Sequence, residues 1–136
     1  DFHISNLMMV KNQIGVIDSQ DALIGNPAYD LVSLIDDVRF KTSKIFKDKI
    51  FNFYLKNQKK YKIHKFKNDF QILSILRNLK IIGIFTRLAV RDKKKNYLKL
   101  IPYAWKLVKL RINEDEIFYD LKELLTKNFK KQFNEN

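Results

Sequence analysis

The sequence predicts a mainly α-helical domain with one small β-hairpin at its amino-terminal end. Three observations carry this reading. Only three Gly and two Pro occur in 136 residues, so turn chemistry is sparse. Strand-like runs are confined to the first twenty residues. Beyond them, apolar residues recur at the three-and-four spacing of a helix face. With 46% apolar and 13% aromatic residues, the chain can bury a core, which excludes an intrinsically disordered class.

The elements follow in order. Leu7-Met-Met-Val10 and Ile14-Gly-Val-Ile17 read as two short strands, joined by a turn at Lys11-Asn-Gln13. Residues 20–27 read as a loop with Gly25-Asn-Pro27 as its turn. Pro27 suits a helix start, because its missing N–H is not needed there. A first helix is expected from Tyr29, with Leu31, Leu34, Ile35 and Val38 on one face and Asp30, Asp36 and Asp37 on the others.

A second helix is expected from Ser43 to about Tyr61, with Ile45, Phe46, Ile50, Phe53 and Tyr54 inward and the lysines outward. A third, capped by Asn68 or Asp69, runs through Ile72, Leu76, Leu79, Ile82, Ile84, Phe85 and Leu88 to Val90 and is the most apolar. Arg91-Asp-Lys-Lys-Lys95 ends it. A fourth covers about Tyr97 to Leu110, where Pro102 must either kink it or sit near its start. The last spans Asp115 to Phe129, with Ile117, Leu121, Leu124 and Leu125 along one side, before a polar tail to Asn136. No internal repeat and no linker is evident, so one domain is expected.

The net charge of +12 raises the question of nucleic acid or an anionic membrane. Arginine occurs only at 39, 77, 87, 91 and 111, and lysine supplies the excess beside abundant Asn, Ile and Phe. Those residues share A/T-rich codons, so genome composition alone accounts for such a balance. Readers of bases and phosphates favour the arginine fork, so no specific nucleic-acid partner is expected. A positive field that attracts nucleotides or acidic sugars is the milder expectation. The lack of cysteine excludes disulfides and thiolate metal sites and fits a reducing compartment. No stretch reaches the roughly 18 uninterrupted apolar residues of a span, and the first residues carry no leader pattern. A cytoplasmic location without a membrane partner is therefore expected.

The most informative pattern is Asp1-Phe-His-Ile-Ser-Asn6, then the hairpin, then Asp18, then Gly25-Asn-Pro-Ala-Tyr-Asp30-Leu leading into a helix. An isolated Asp-x4-Asn is common; the ordered assembly is not. Phosphoryl transfer needs the acceptor hydroxyl oriented and relieved of its proton, which suits Asp1 as base, a role typically worth on the order of 10²–10⁴-fold. The amide oxygen of Asn6 and the carboxylate of Asp18 are hard donors suited to Mg²⁺ beside nucleotide phosphates. The hairpin between them sets their separation, as positioning catalysis requires.

In these residues the sequence resembles the aminoglycoside phosphotransferase, or protein-kinase-like, superfamily. Within it the chain is similar to bacterial N-acetylmuramate/N-acetylglucosamine anomeric kinases of cell-wall (peptidoglycan) recycling. The similarity rests on Asp1-Phe-His-Ile-Ser-Asn-Leu-Met8, Gly15-Val-Ile-Asp-Ser-Gln-Asp-Ala22, and Pro27-Ala-Tyr-Asp-Leu-Val-Ser-Leu34 with Asp37-Val-Arg39. It continues at Arg77-Asn-Leu-Lys-Ile-Ile-Gly-Ile-Phe-Thr-Arg87 and from Tyr97 through Pro102 to Trp105.

The resemblance implies the C-terminal lobe of a kinase-like α+β fold. Residues 1–27 would form the catalytic loop and metal-binding hairpin, and 28–136 a helical substrate subdomain. It implies an ATP- and Mg²⁺-dependent enzyme that phosphorylates the anomeric hydroxyl of an amino sugar. Asp30 is then expected as a buried structural acid tying down the catalytic loop. The alternatives are a sister enzyme for an aminoglycoside or choline, or an inactive basic binding module.

Two departures stand out. Relatives usually carry Phe after the metal-binding Asp, where this chain has Ser19. No Gly-rich loop occurs, so the N-terminal nucleotide lobe is expected in cis from upstream, and these residues alone are expected to turn over little.

Other residues carry two readings each. His3 either touches the sugar or braces the loop. Asp21 either contacts substrate or a second metal, or makes a loop hydrogen bond. Arg39 either meets an acidic substrate group, such as the lactyl carboxylate of N-acetylmuramate, or serves as a cation at a helix C-terminus. Arg77, Asn78, Lys80 and Arg87 interrupt the apolar third helix and need partners, with Arg77 the candidate cleft residue. His64 reads as a surface residue in a Lys-rich loop, and Tyr103 and Trp105 as core or cleft wall. Two histidines are too few for a histidine-based metal site.

Overall fold

The computed structural model describes residues 2–18, 20 and 23–134. Packing divides the chain into two compact units, Asp1–Leu73 and Ser74–Asn136. The boundary falls inside a helix, so no change of composition announces it.

The first unit opens with a 3-10 turn at Ile4–Asn6 and an antiparallel hairpin of β1 (Leu7–Val10) and β2 (Gln13–Val16). Gln13 pairs with Val10, so the turn is two residues rather than the expected three. Its centre, Lys11 and Asn12, lies at φ 47° and 63°. Positive φ at both positions is the tight-hairpin geometry that matches strand twist; Asn accepts it readily and Lys does so at some cost. Most hairpin side chains are exposed, Met9 and Ile14 by 71% and 67%, so the strands are not read out by one buried face.

Helix α1 (Ala28–Ile35) starts at Pro27, as expected. Asn26 completes the start: its Oδ1 accepts from the Ala28 N–H at 2.9 Å and its carbonyl from the Tyr29 N–H at 3.0 Å. The helix ends at Asp36, so the fully buried Val38 lies beyond it rather than on its face.

Helix α2 (Lys44–Asn57) begins as read, with the Ser43 hydroxyl accepting from the Phe46 N–H at 3.2 Å. It stops before the expected end because Gln58 turns extended. Its inward face also differs. Ile45, Phe46 and Phe53 are exposed, whereas Lys47, Ile50, Phe51, Tyr54 and Leu55 face the core. The expected outward lysines thus have one exception, Lys47, which is buried.

Helix α3 (Ile63–Val90) starts ahead of the expected Asn68 or Asp69 cap, and His64 lies in its first turn rather than in a loop. Its Phe66 and Phe70 pack with Ala28, Leu31, Val32 and Ile35 of α1 and with Phe51 of α2, closing the first core. Each Leu, Val, Ile or Phe side chain so removed from water contributes about 1.5–3 kcal/mol.

In the second unit, a 3-10 segment (Lys95–Leu100) leads into α4 (Ile101–Ile112), with Pro102 in the first turn, so no kink is needed. Asp115 caps a 3-10 turn (Glu116–Phe118) through the Ile117 N–H at 3.1 Å. Helices α5 (Tyr119–Asn128) and α6 (Lys130–Asn134) follow. The core gathers Ile75, Trp105, Val108, Ile112, Phe118 and Leu125. Phe129 and, from the tail expected to be polar, Phe133 pack on Trp105 at ring separations of 5.0 and 5.6 Å. Ile117 and Leu124, expected along one side with Leu121 and Leu125, are exposed. No described helix is long and apolar enough to cross a membrane.

Candidate active site

The open end of the hairpin holds two of the oxygen donors that the sequence singled out. Leu7 pairs with Val16, and one step further the Ile17 N–H donates to the Asn6 carbonyl at 3.0 Å. Asn6 therefore sits opposite Ile17, and Asp18 follows directly. Asn6 is fixed from the other side too, its N–H donating to the His3 carbonyl at 2.9 Å. Asp18 takes φ 62°, a left-handed conformation that costs a non-glycine residue on the order of 1 kcal/mol. Sequence alone gave the residue types; the ladder places both at one end of the sheet.

The two donors differ in environment. Asn6 is 8% exposed, while Asp18 is exposed. An amide held inside and a carboxylate offered outside fit a hard cation that keeps water or phosphate oxygens for its remaining positions. Among the described residues no group of three or more His, Asp or Glu side chains is placed to hold a metal. Among the described residues, Mg²⁺ at this end of the sheet would thus rest on Asn6 and Asp18.

Asp1, Ser19 and Asp21 lie outside the described residues. His3 is half-buried in extended backbone, and its carbonyl is used by Asn6. The expected burial of Asp30 is not found: it is exposed in the first turn of α1. That turn needs no buried acid, because Asn26 already serves its free N–H groups. Asp30 instead acts on Tyr54, whose phenol is raised above its ordinary value by burial first, then by Tyr61 and Asp30. Arg39 lies beyond the end of α1 and bonds Asp37. Arg77 is buried on α3 in the second unit, in the stretch where Asn78 is fully buried and donates to the Ser74 carbonyl at 2.9 Å.

The sequence reading missed three features. Asp36 and Asp37 are 0% and 1% exposed, whereas both were placed on outer faces. Lys47 lies 3.1 Å from Asp36 Oδ1. Asn26 Nδ2 donates to Asp69 Oδ2 at 2.8 Å, tying the loop after Asp18 to α3. A signal for Lys47 existed: it stands at helical spacing from Phe51 and Tyr54, the face that proves to be inward. Two open surface concavities of the second unit, about 480 and 600 Å³, are lined by residues such as Glu114, Asp115, Lys122 and Lys127 and by none of the candidate residues.

Comparison with known proteins agrees with the motif. Residues 1–64 match the model of the phosphotransferase enzyme family. The chain is 36% identical over 108 residues to an N-acetylmuramate/N-acetylglucosamine kinase of Neisseria meningitidis, covering 75% of this chain and 32% of that protein. A kinase of the same name from Caulobacter vibrioides is 32% identical over 110 residues, covering 77% and 30%. One from Pseudomonas aeruginosa is 30% identical over 131 residues, covering 92% and 39%. The chain thus spans about a third of the length of these curated relatives. The resemblance read from the motifs is borne out, and so is the fold class: a mainly helical chain with a small hairpin, consistent with a kinase-like C-terminal lobe.

Proposed function

We propose that this chain, similar over residues 1–64 to the phosphotransferase enzyme family, carries the catalytic and metal-binding part of an ATP- and Mg²⁺-dependent sugar kinase. The acceptor is the anomeric hydroxyl of N-acetylmuramate or N-acetylglucosamine, the product is the sugar 1-phosphate, and the setting is cytoplasmic peptidoglycan recycling. The nucleotide lobe is expected in cis. The observation that carries this reading is the hairpin register, which seats Asn6 opposite Ile17 and Asp18 directly after it.

Each residue then has one task. Asp1 orients the acceptor hydroxyl and takes its proton as the oxygen attacks. The Asn6 amide oxygen and the Asp18 carboxylate hold Mg²⁺, and the β-ladder keeps them in register. When bound, Mg²⁺ neutralises charge on the nucleotide phosphates. His3 braces Asn6 through its carbonyl.

The test is phosphoryl transfer by the intact protein with Mg-ATP and N-acetylmuramate, N-acetylglucosamine, kanamycin or choline, with products read by phosphorus NMR. A sugar 1-phosphate is expected. Asp1→Asn should lower the rate by about 10²–10⁴-fold. Asp18→Ala should remove Mg²⁺-dependent turnover by at least about 10²-fold. Transfer to kanamycin or choline alone would move the chain to a sister enzyme, and transfer to none, in folded protein, would overturn the reading.

A further inference from the structure

Arg39 has a geometry that the helix-terminus explanation does not cover. A cation is useful at the end of α1, where carbonyls lack partners. That place is filled from α2: Lys47 Nζ bonds the Ile35 carbonyl at 2.5 Å and Asp36 Oδ1 at 3.1 Å. Arg39 is built differently. Asp37, 1% exposed, accepts with one oxygen from both the Arg39 backbone N–H at 2.9 Å and Arg39 Nη1 at 3.3 Å. The buried carboxylate thus fixes the root of the side chain and one guanidinium nitrogen. The arginine side chain remains 38% exposed.

A guanidinium carries five N–H donors in a planar fork, so one contact to Asp37 leaves a pair able to grip a carboxylate with two hydrogen bonds. Residue type points the same way. Residues 1–73 contain eleven lysines and a single arginine, Arg39. Lysine serves where charge alone is wanted; the fork is used at one position, and there it is pre-oriented by a buried acid.

We infer that Arg39, held by Asp37, is the group that recognises the carboxylate of an acidic amino sugar, and so sets preference for N-acetylmuramate over N-acetylglucosamine. The inference rests on the proposed sugar-kinase reading. The two sugars differ by a lactyl ether whose carboxylate only N-acetylmuramate carries. A pre-oriented guanidinium binds that group with little ordering cost.

Arg39→Gln and Arg39→Lys in the intact protein test it through kcat/KM for both sugars. Arg39→Gln should lower the N-acetylmuramate to N-acetylglucosamine ratio by about 10- to 100-fold, the worth of a charge-assisted bond, chiefly through KM. Arg39→Lys should fall between, since it keeps the charge and loses the fork; it also carries the test if the glutamine variant does not fold. An unchanged ratio, or equal loss on both sugars, overturns the inference. Nitrogen NMR of the arginine side chain is independent of turnover. N-acetylmuramate, and not N-acetylglucosamine, should shift the Arg39 Nε signal, and no shift overturns the assignment. If the wild type phosphorylates neither sugar, the reaction reading fails, whereas a selective Arg39 shift would still stand for carboxylate recognition.

Discussion

Lys47 of α2 reaches across to Asp36 at the end of α1, its Nζ 3.1 Å from Oδ1, with the two side chains 2% and 0% exposed. The same ammonium bonds the Ile35 carbonyl. One side chain thus compensates a buried acid and a helix end together, and links the two helices that flank Arg39.

Breaking that pair takes the ammonium from a buried acid, or the acid from a buried ammonium. Lys47→Met or Asp36→Asn should cost about 3–5 kcal/mol, measured by urea unfolding followed by circular dichroism. Replacing both, Lys47→Met with Asp36→Leu, should cost clearly less than the two single losses added. Single losses under about 1 kcal/mol would show that the pair does not support the fold.

Asn26 joins three pieces of the first unit: the loop after Asp18, the start of α1 and Asp69 of α3. Asn26→Ala removes a helix-start acceptor and the tie to Asp69, for an expected loss of about 1 kcal/mol. Asp69→Ala removes the tie alone and should cost about 0.5 kcal/mol. Equal effects would mean that the capping bond contributes nothing.

Tyr54 gives a pH signature. Burial raises its phenol pKa, with Tyr61 and Asp30 adding to the effect. The folded state therefore holds this proton more tightly than the unfolded chain. The associated stability is fully present below the ordinary phenol value, near 10, and is lost as pH rises through the folded value. Absorbance titration at alkaline pH should show one late tyrosine that disappears in Tyr54→Phe. Asp30→Asn should move it down, and a late phenol that ignores this change would refute the Asp30 contribution.

Much of the element order was legible. The hairpin, the Pro27 start of α1, the beginning of α2 at Ser43, the end of α3 at Val90 and the beginning of the last helical stretch at Asp115 are local chemistry, and local chemistry is written in the sequence. The errors share a cause. Ile45, Phe46 and Phe53 were read inward because they are apolar, yet α2 turns Lys47, Phe51 and Tyr54 to the core. Both faces of that helix carry aromatics, so periodicity had two solutions. The choice between them came from Phe66 and Phe70 of α3, residues distant in sequence.

The candidate site divides in the same way. Sequence by itself determined which groups are available: the amide of Asn6, the carboxylate of Asp18, the guanidinium of Arg39. It did so because residue type dictates donors, charge and metal preference. Tertiary structure alone decided where they stand. Ladder register seats Asn6 opposite Ile17, with Asp18 following directly at the same end of the sheet. Burial moved the structural acid from Asp30 to Asp36 and Asp37, because a carboxylate withdrawn from water needs a cation, and only the packing of α2 on α1 delivers Lys47 to that place.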